Sequence, residues 1–207
     1  MSRDSIYEVF RKRDAMLVHC SSFQPLVGSD FTSKFTPLER LHYAIANTPE
    51  VSCSTIKYGD TFENRNFTGK LGVIVDPRSL DDITFIWPED GGTEAKDEEG
   101  QPRGKYIQGL EISPNSLLKA IDERPLQQHN EICAQNFDVR GIFFSDPIQF
   151  NQEGPPFLVN HSIEEIIVEF DGQPIYQLHQ GRLFKTFLNS GKVEREDPIR
   201  IADIYNT

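Results

Sequence analysis

The chain has 207 residues, with 32 Asp and Glu against 21 Lys and Arg and a net charge of −11. An acidic field of that size repels phosphate and disfavours indiscriminate binding to DNA, RNA or anionic lipid, though it leaves room for a local basic groove. No apolar run approaches the ~20 residues of a membrane span, and Met1–Arg13 is too charged for a secretory leader.

The expectation is therefore a cytoplasmic protein that does not enter a membrane. Hydrophobic residues make up 37% of the chain, with 15 Phe and 6 Tyr, which suits an aromatic-rich globular interior. Cys20, Cys53 and Cys133 are odd in number and widely spaced. They read as reduced thiols, not as a disulfide framework or a zinc site.

In chain order, Ser5-Ile6-Tyr7-Glu8 has the pattern of a capping box. It predicts a short helix with Ile6, Val9 and Phe10 on one face and a basic end at Arg11-Lys12-Arg13. Ala15–Val18 predicts a strand that delivers His19 and Cys20. Thr36-Pro37-Leu38-Glu39 opens a second helix, with Leu38, Leu41 and Ile45 on one stripe and Pro49 as its stop. Val51–Ile56 alternates as a strand and turns out through Tyr58-Gly59-Asp60. Leu71–Val75 reads as a strand buried on both faces, and Ile83–Trp87 as another.

Residues 88–104 hold four Gly, two Pro and six acids, the composition of a long mobile loop. Ser113-Pro114 starts a helix with Leu117, Leu118 and Ile121 inward. Two strands follow, around Ile132–Ala134 and Val139–Phe144. Ile163–Phe170 and Gln173–Leu178 read as a hairpin turning at Asp171-Gly172, and Pro174 assigns its second strand to an edge. Leu183, Phe184, Phe187 and Leu188 make a last helical face. The fold class is α+β, one domain over 1–207 with a mainly antiparallel core and a few short helices.

Three polar elements then stand in order on strands: His19, Ser54-Thr55, and Glu131 at the mouth of an apolar strand. This arrangement resembles the mono-ADP-ribosyltransferase superfamily. Leu17-Val18-His19-Cys20-Ser21-Ser22 looks like a His-type first element, Val51–Ile56 is similar to a Ser-Thr strand, and Asn130-Glu131-Ile132 looks like a catalytic-Glu strand. Cys20 departs from the usual Gly, and a His first element joined to a Ser-Thr second is a hybrid of the family's patterns.

The resemblance implies two small, mainly antiparallel sheets forming a cleft for NAD, which is consumed as co-substrate. It implies that Glu131 is catalytic and that His19 hydrogen-bonds a ribose. The Cys20 backbone would receive the nicotinamide amide, and Ser54, with Thr55 beside it, would orient Glu131. Stacking on nicotinamide would fall to Tyr58, or to Phe62 or Phe67. His129, two residues before Glu131, would lie on the acceptor side.

The implied activity is transfer of ADP-ribose to a macromolecular acceptor, protein or nucleic acid, as in toxins and defence factors. A toxin of this kind calls for a neutralising partner. Two other readings stand beside it: an NAD glycohydrolase or RNA 2′-phosphotransferase relative, and a catalytically silent binding module. The chemistry is coherent apart from the family. Cleaving the nicotinamide–ribose bond passes through an oxocarbenium-like centre that one carboxylate can stabilise, and a neutral leaving group needs no strong general acid.

Overall fold

The computed structural model describes residues 3–20, 37–47, 50–60, 71–88, 109–124, 130–145, 162–179 and 182–206. Helix α1 (Arg3–Arg13) leads into β1 (Ala15–Cys20), and α2 (Pro37–Asn47) precedes β2 (Val51–Lys57), β3 (Leu71–Pro77) and β4 (Ile83–Trp87). Helix α3 (Pro114–Asp122) is followed by β5 (Glu131–Ala134) and β6 (Phe137–Ser145). Helix α4 (Ile163–Glu169), β7 (Ile175–His179), β8 (Arg182–Asn189), β9 (Lys192–Arg195) and a 3₁₀ helix over Ile201–Asn206 complete the described chain.

The fold is α+β, with few helices, and among the described residues the strands join in one nine-stranded sheet, in the order β4-β5-β2-β1-β3-β6-β7-β8-β9. The two small sheets expected from the resemblance are not separate among the described residues. The sheet is mixed: β6 and β7 run parallel, and every other neighbouring pair is antiparallel. The centre is β1 and β3, whose residues Ala15–Val18 and Leu71–Pro77 are all buried. Continuous apolar runs give such strands because both faces are covered. The buried side chains from Ile6 to Tyr205 form one contiguous cluster.

Ser113 caps α3 as expected, accepting from the Ser116 N–H at 3.1 Å with Pro114 at the first helical position. Helix α1 begins at Arg3, so Ser5 lies inside it rather than at its cap. Larger departures come late in the chain. Ile163–Glu169 is a helix, closed at its start by a capping box between Ser162 and Glu165. The expected hairpin is instead a helix-to-strand turn, with Gly172 at φ +87°.

Pro174 stands just before β7, which lies between β6 and β8 and not at an edge. The apolar cluster Leu183–Leu188 is strand β8, with Leu183 and Thr186 buried. After Gly191 the chain adds β9 and a 3₁₀ helix that buries Ile201, Ala202, Ile204 and Tyr205. The Tyr205 hydroxyl accepts from Leu17 N–H at 2.9 Å and donates to Val75 O at 3.3 Å, bridging the paired residues of β1 and β3. Beside it Asp76, fully buried, accepts from Tyr7 Oη at 2.9 Å and from Arg140 Nε at 2.6 Å.

No helix among the described residues is long and apolar enough to cross a membrane. The expected acidic loop falls, from residue 89 on, outside the described residues.

Candidate active site

The site is set by how β2 divides its backbone pairing. Its second half pairs with β1, from Val18↔Ser54 to Ala15↔Lys57. Its first half pairs with β5, from Val51↔Ala134 to Cys53↔Ile132. His19 and Cys20, at the end of β1, pair instead with Val73 and Gly72 of β3. The next link between β1 and β2 is made by a side chain: His19 Nδ1 lies 2.8 Å from the carbonyl oxygen of Ser52.

A carbonyl only accepts, so the Nδ1 of His19 carries the proton in this bond. Gly72 permits the close approach of β3 here, because a Cβ at that position would stand 2.5 Å from the His19 carbonyl oxygen.

Glu131 is the first residue of β5 and is partly buried. The register sets Cys133 opposite Ser52, so Glu131 is one diagonal step away, within reach of a long side chain. The Ser52 hydroxyl donates to Glu131 Oε1 at 3.0 Å. The Cys133 thiol makes a weaker approach to the same oxygen at 3.9 Å. One residue, Ser52, thus contacts the His19 ring through its backbone and the Glu131 carboxylate through its side chain.

The resemblance implied that orienting role for Ser54. The Ser54 hydroxyl, 3% exposed, donates instead to Asn130 Oδ1 at 3.0 Å. Thr55, fully buried, is held by Asn130 as well. Alternation along β2 puts Ser52 on the same face as Ser54, so the sequence contained the signal; the choice between them needed the cross-strand register.

Tyr58 departs furthest from its expected place. It follows β2 in a turn, 59% exposed, with its backbone N–H bonded to Asp14 O at 2.9 Å. Six residues of extended strand separate it from Ser52, roughly 20 Å, which is too far for stacking beside Glu131. His129, Phe62 and Phe67 lie outside the described residues. Trp87 of β4, half-buried, is the cross-strand partner of Glu131. It also lines a cavity of about 240 Å³ together with Leu110, Lys119 and Glu123. A second cavity of about 410 Å³, between α4 and β8, contains none of the expected residues.

The three cysteines are free thiols. Burial pushes the Cys20 and Cys53 thiols well up. Cys133 is pushed up to about 12 by burial and then by the nearby Glu131 and Glu50 carboxylates. All three hold their protons at neutral pH and are not thiolate nucleophiles. Among the described residues no group of three or more His, Cys, Asp or Glu could hold a metal ion. What the site offers is a carboxylate on β5 oriented by a hydroxyl of β2, and an imidazole on β1 tied to the backbone of that same serine. No protein-family model, curated protein or solved structure matches the chain.

Proposed function

We propose that the protein is an NAD-dependent mono-ADP-ribosyltransferase that modifies a macromolecular acceptor. NAD would be held at the end of the sheet where the β1–β2 ladder stops. The observation that carries this reading is the hydrogen bond from Ser52 to Glu131 beside the His19–Ser52 link. A partly buried carboxylate aimed by a hydroxyl can oppose a positive charge that develops beside it.

In this reading Glu131 accepts the hydroxyl of the nicotinamide-side ribose at its 2′ position and opposes the charge that grows on the anomeric carbon as the bond to nicotinamide breaks. The bonding pair leaves with the nicotinamide nitrogen, which becomes neutral and needs no proton. His19, held against Ser52, hydrogen-bonds a ribose hydroxyl and fixes the sugar's orientation. An acceptor nucleophile then bonds to the anomeric carbon and loses its proton to water.

The test is incubation of the protein with NAD labelled in the adenosine half, in the presence of separated protein, DNA and RNA. Label transferred to one fraction, with matching nicotinamide release, supports the transferase. Label appearing only as free ADP-ribose indicates a glycohydrolase. Absence of nicotinamide release with every fraction would sink both enzymatic readings.

A further inference from the structure

Glu131 is flanked by two buried residues of different character. Ile132 is a backbone partner of Cys53 and of Ile86. Asn130, on the other side, lies before the first residue of β5, yet its side chain is fully buried and hydrogen-bonded at both ends. Its Oδ1 accepts from Thr55 N–H at 2.8 Å, from Ser54 Oγ at 3.0 Å and from Thr55 Oγ1 at 3.1 Å. Its Nδ2 donates to Thr55 Oγ1 at 2.8 Å and to the Ala120 carbonyl of α3 at 2.9 Å.

The arrangement continues a strand pairing by other means. The β2–β5 backbone register ends at Cys53↔Ile132, and beyond it the Thr55 N–H meets the Asn130 side-chain carbonyl. A primary amide has the donor and acceptor of a peptide group, so it can extend a ladder from a side chain. Because both ends of the amide are bonded in a buried setting, turning it would strand several polar groups at once. The backbone of Glu131 is thereby fixed from both neighbours, and only its side-chain torsions are left to be set by Ser52.

We propose that Asn130 is a positioning residue for Glu131, holding it where its carboxylate meets the Ser52 hydroxyl. Asn130 does not touch substrate; it acts through the residue next to it. The inference rests on the reading of Glu131 as the catalytic carboxylate. The Arg124 side chain grips the same strand by a different route, donating to Thr55 O and to Asp60 Oδ1, each at 2.7 Å, without contacting Glu131. It serves as a structural comparator.

The test reads the Glu131 side-chain carboxyl resonance by carbon-13 NMR, assigned by its disappearance in Glu131→Gln. Turnover at saturating NAD and NAD affinity are measured alongside. In Asn130→Ala the resonance should move toward that of an exposed glutamate. Turnover should fall about tenfold or more, as expected when a reacting group is displaced by a fraction of an ångström, with NAD affinity within about twofold.

Thr55→Val removes one hydroxyl of the network and keeps the side-chain shape, so it should cause a smaller shift in the same direction. That variant decides the matter if Asn130→Ala does not fold. Arg124→Gln should lower the melting temperature while leaving the Glu131 resonance and turnover in place. An unmoved resonance in Asn130→Ala, or in Thr55→Val where the alanine variant is unfolded, overturns the proposal. So does an equal shift in Arg124→Gln. Failure of the wild type to release nicotinamide overturns the transferase reading instead, and the resonance still decides whether Asn130 positions Glu131.

Discussion

The Ser52 hydroxyl donates to Oε1 of Glu131 at 3.0 Å, joining residues 79 apart in the chain across the β2–β5 ladder. Ser54, two residues on, is spent on Asn130. That division of labour gives the site its consequences.

Replacing Glu131 by Gln keeps the size and removes the charge. Turnover should fall about a hundredfold or more, the scale for losing one preorganised electrostatic group. NAD affinity should change by less than about threefold, because in the proposed reaction the charge acts mainly on the transition state. The protein should melt where the wild type does. Near-normal nicotinamide release from a folded Glu131→Gln protein would remove Glu131 from the site.

Ser52→Ala and Ser54→Ala should separate chemistry from stability. The first loses the bond that aims the carboxylate, and turnover should drop about tenfold with stability changed by under about 0.5 kcal/mol, as at most positions outside the core. The second removes one of three donors to the buried Asn130 Oδ1 and should cost roughly 0.5–1.5 kcal/mol, the net worth of one hydrogen bond. Denaturant unfolding run beside turnover tests both. The reverse pattern, with Ser54→Ala catalytically worse at equal stability, would show that the observed register is not the working one.

Gly72→Ala should weaken NAD binding from a distance. Its Cβ would press on the His19 carbonyl oxygen at 2.5 Å and on Cys20 Cα at 3.1 Å, backbone atoms that cannot swing aside. The end of β1 must then shift, at a cost of roughly 1–3 kcal/mol for overpacking. Calorimetric titration with NAD should show the loss. Unchanged affinity would mean that the His19 segment is not part of the binding surface.

Tyr205→Phe should cost about 1–3 kcal/mol, since the bonds to Leu17 N–H and Val75 O are lost inside the core. Burial holds the Tyr205 hydroxyl well above its ordinary value of 10, favouring the neutral phenol in the folded state. That contribution is complete below 10 and declines as the pH climbs above it, because the unfolded chain can then ionise where the folded one resists. The stability gap between wild type and Tyr205→Phe should therefore narrow on the alkaline side. A gap that is constant across that range would show that the phenol is not buried.

The amino-acid sequence by itself determined the elements whose signals are local. Continuous apolar runs gave the central strands β1 and β3, Ser113-Pro114 gave the start of α3, and the alternation of Val51–Ile56 gave β2. It also singled out His19 and Glu131, because a polar residue at the end of an apolar strand is visible without a partner. Local signals misled where two periods overlap. Leu183, Phe184, Phe187 and Leu188 fit a helical face, yet pairing with β7 makes them a strand. Ile163–Glu169 carries β-branched residues, yet the Ser162–Glu165 box and the turn at Gly172 make it a helix. The tertiary structure alone decided the parallel pairing of β6 with β7, the burial of the C-terminal turn under β1, and the choice of Ser52 over Ser54 beside Glu131. Each of these depends on strand register, and register is set by contacts between segments far apart in the chain, which no local pattern encodes.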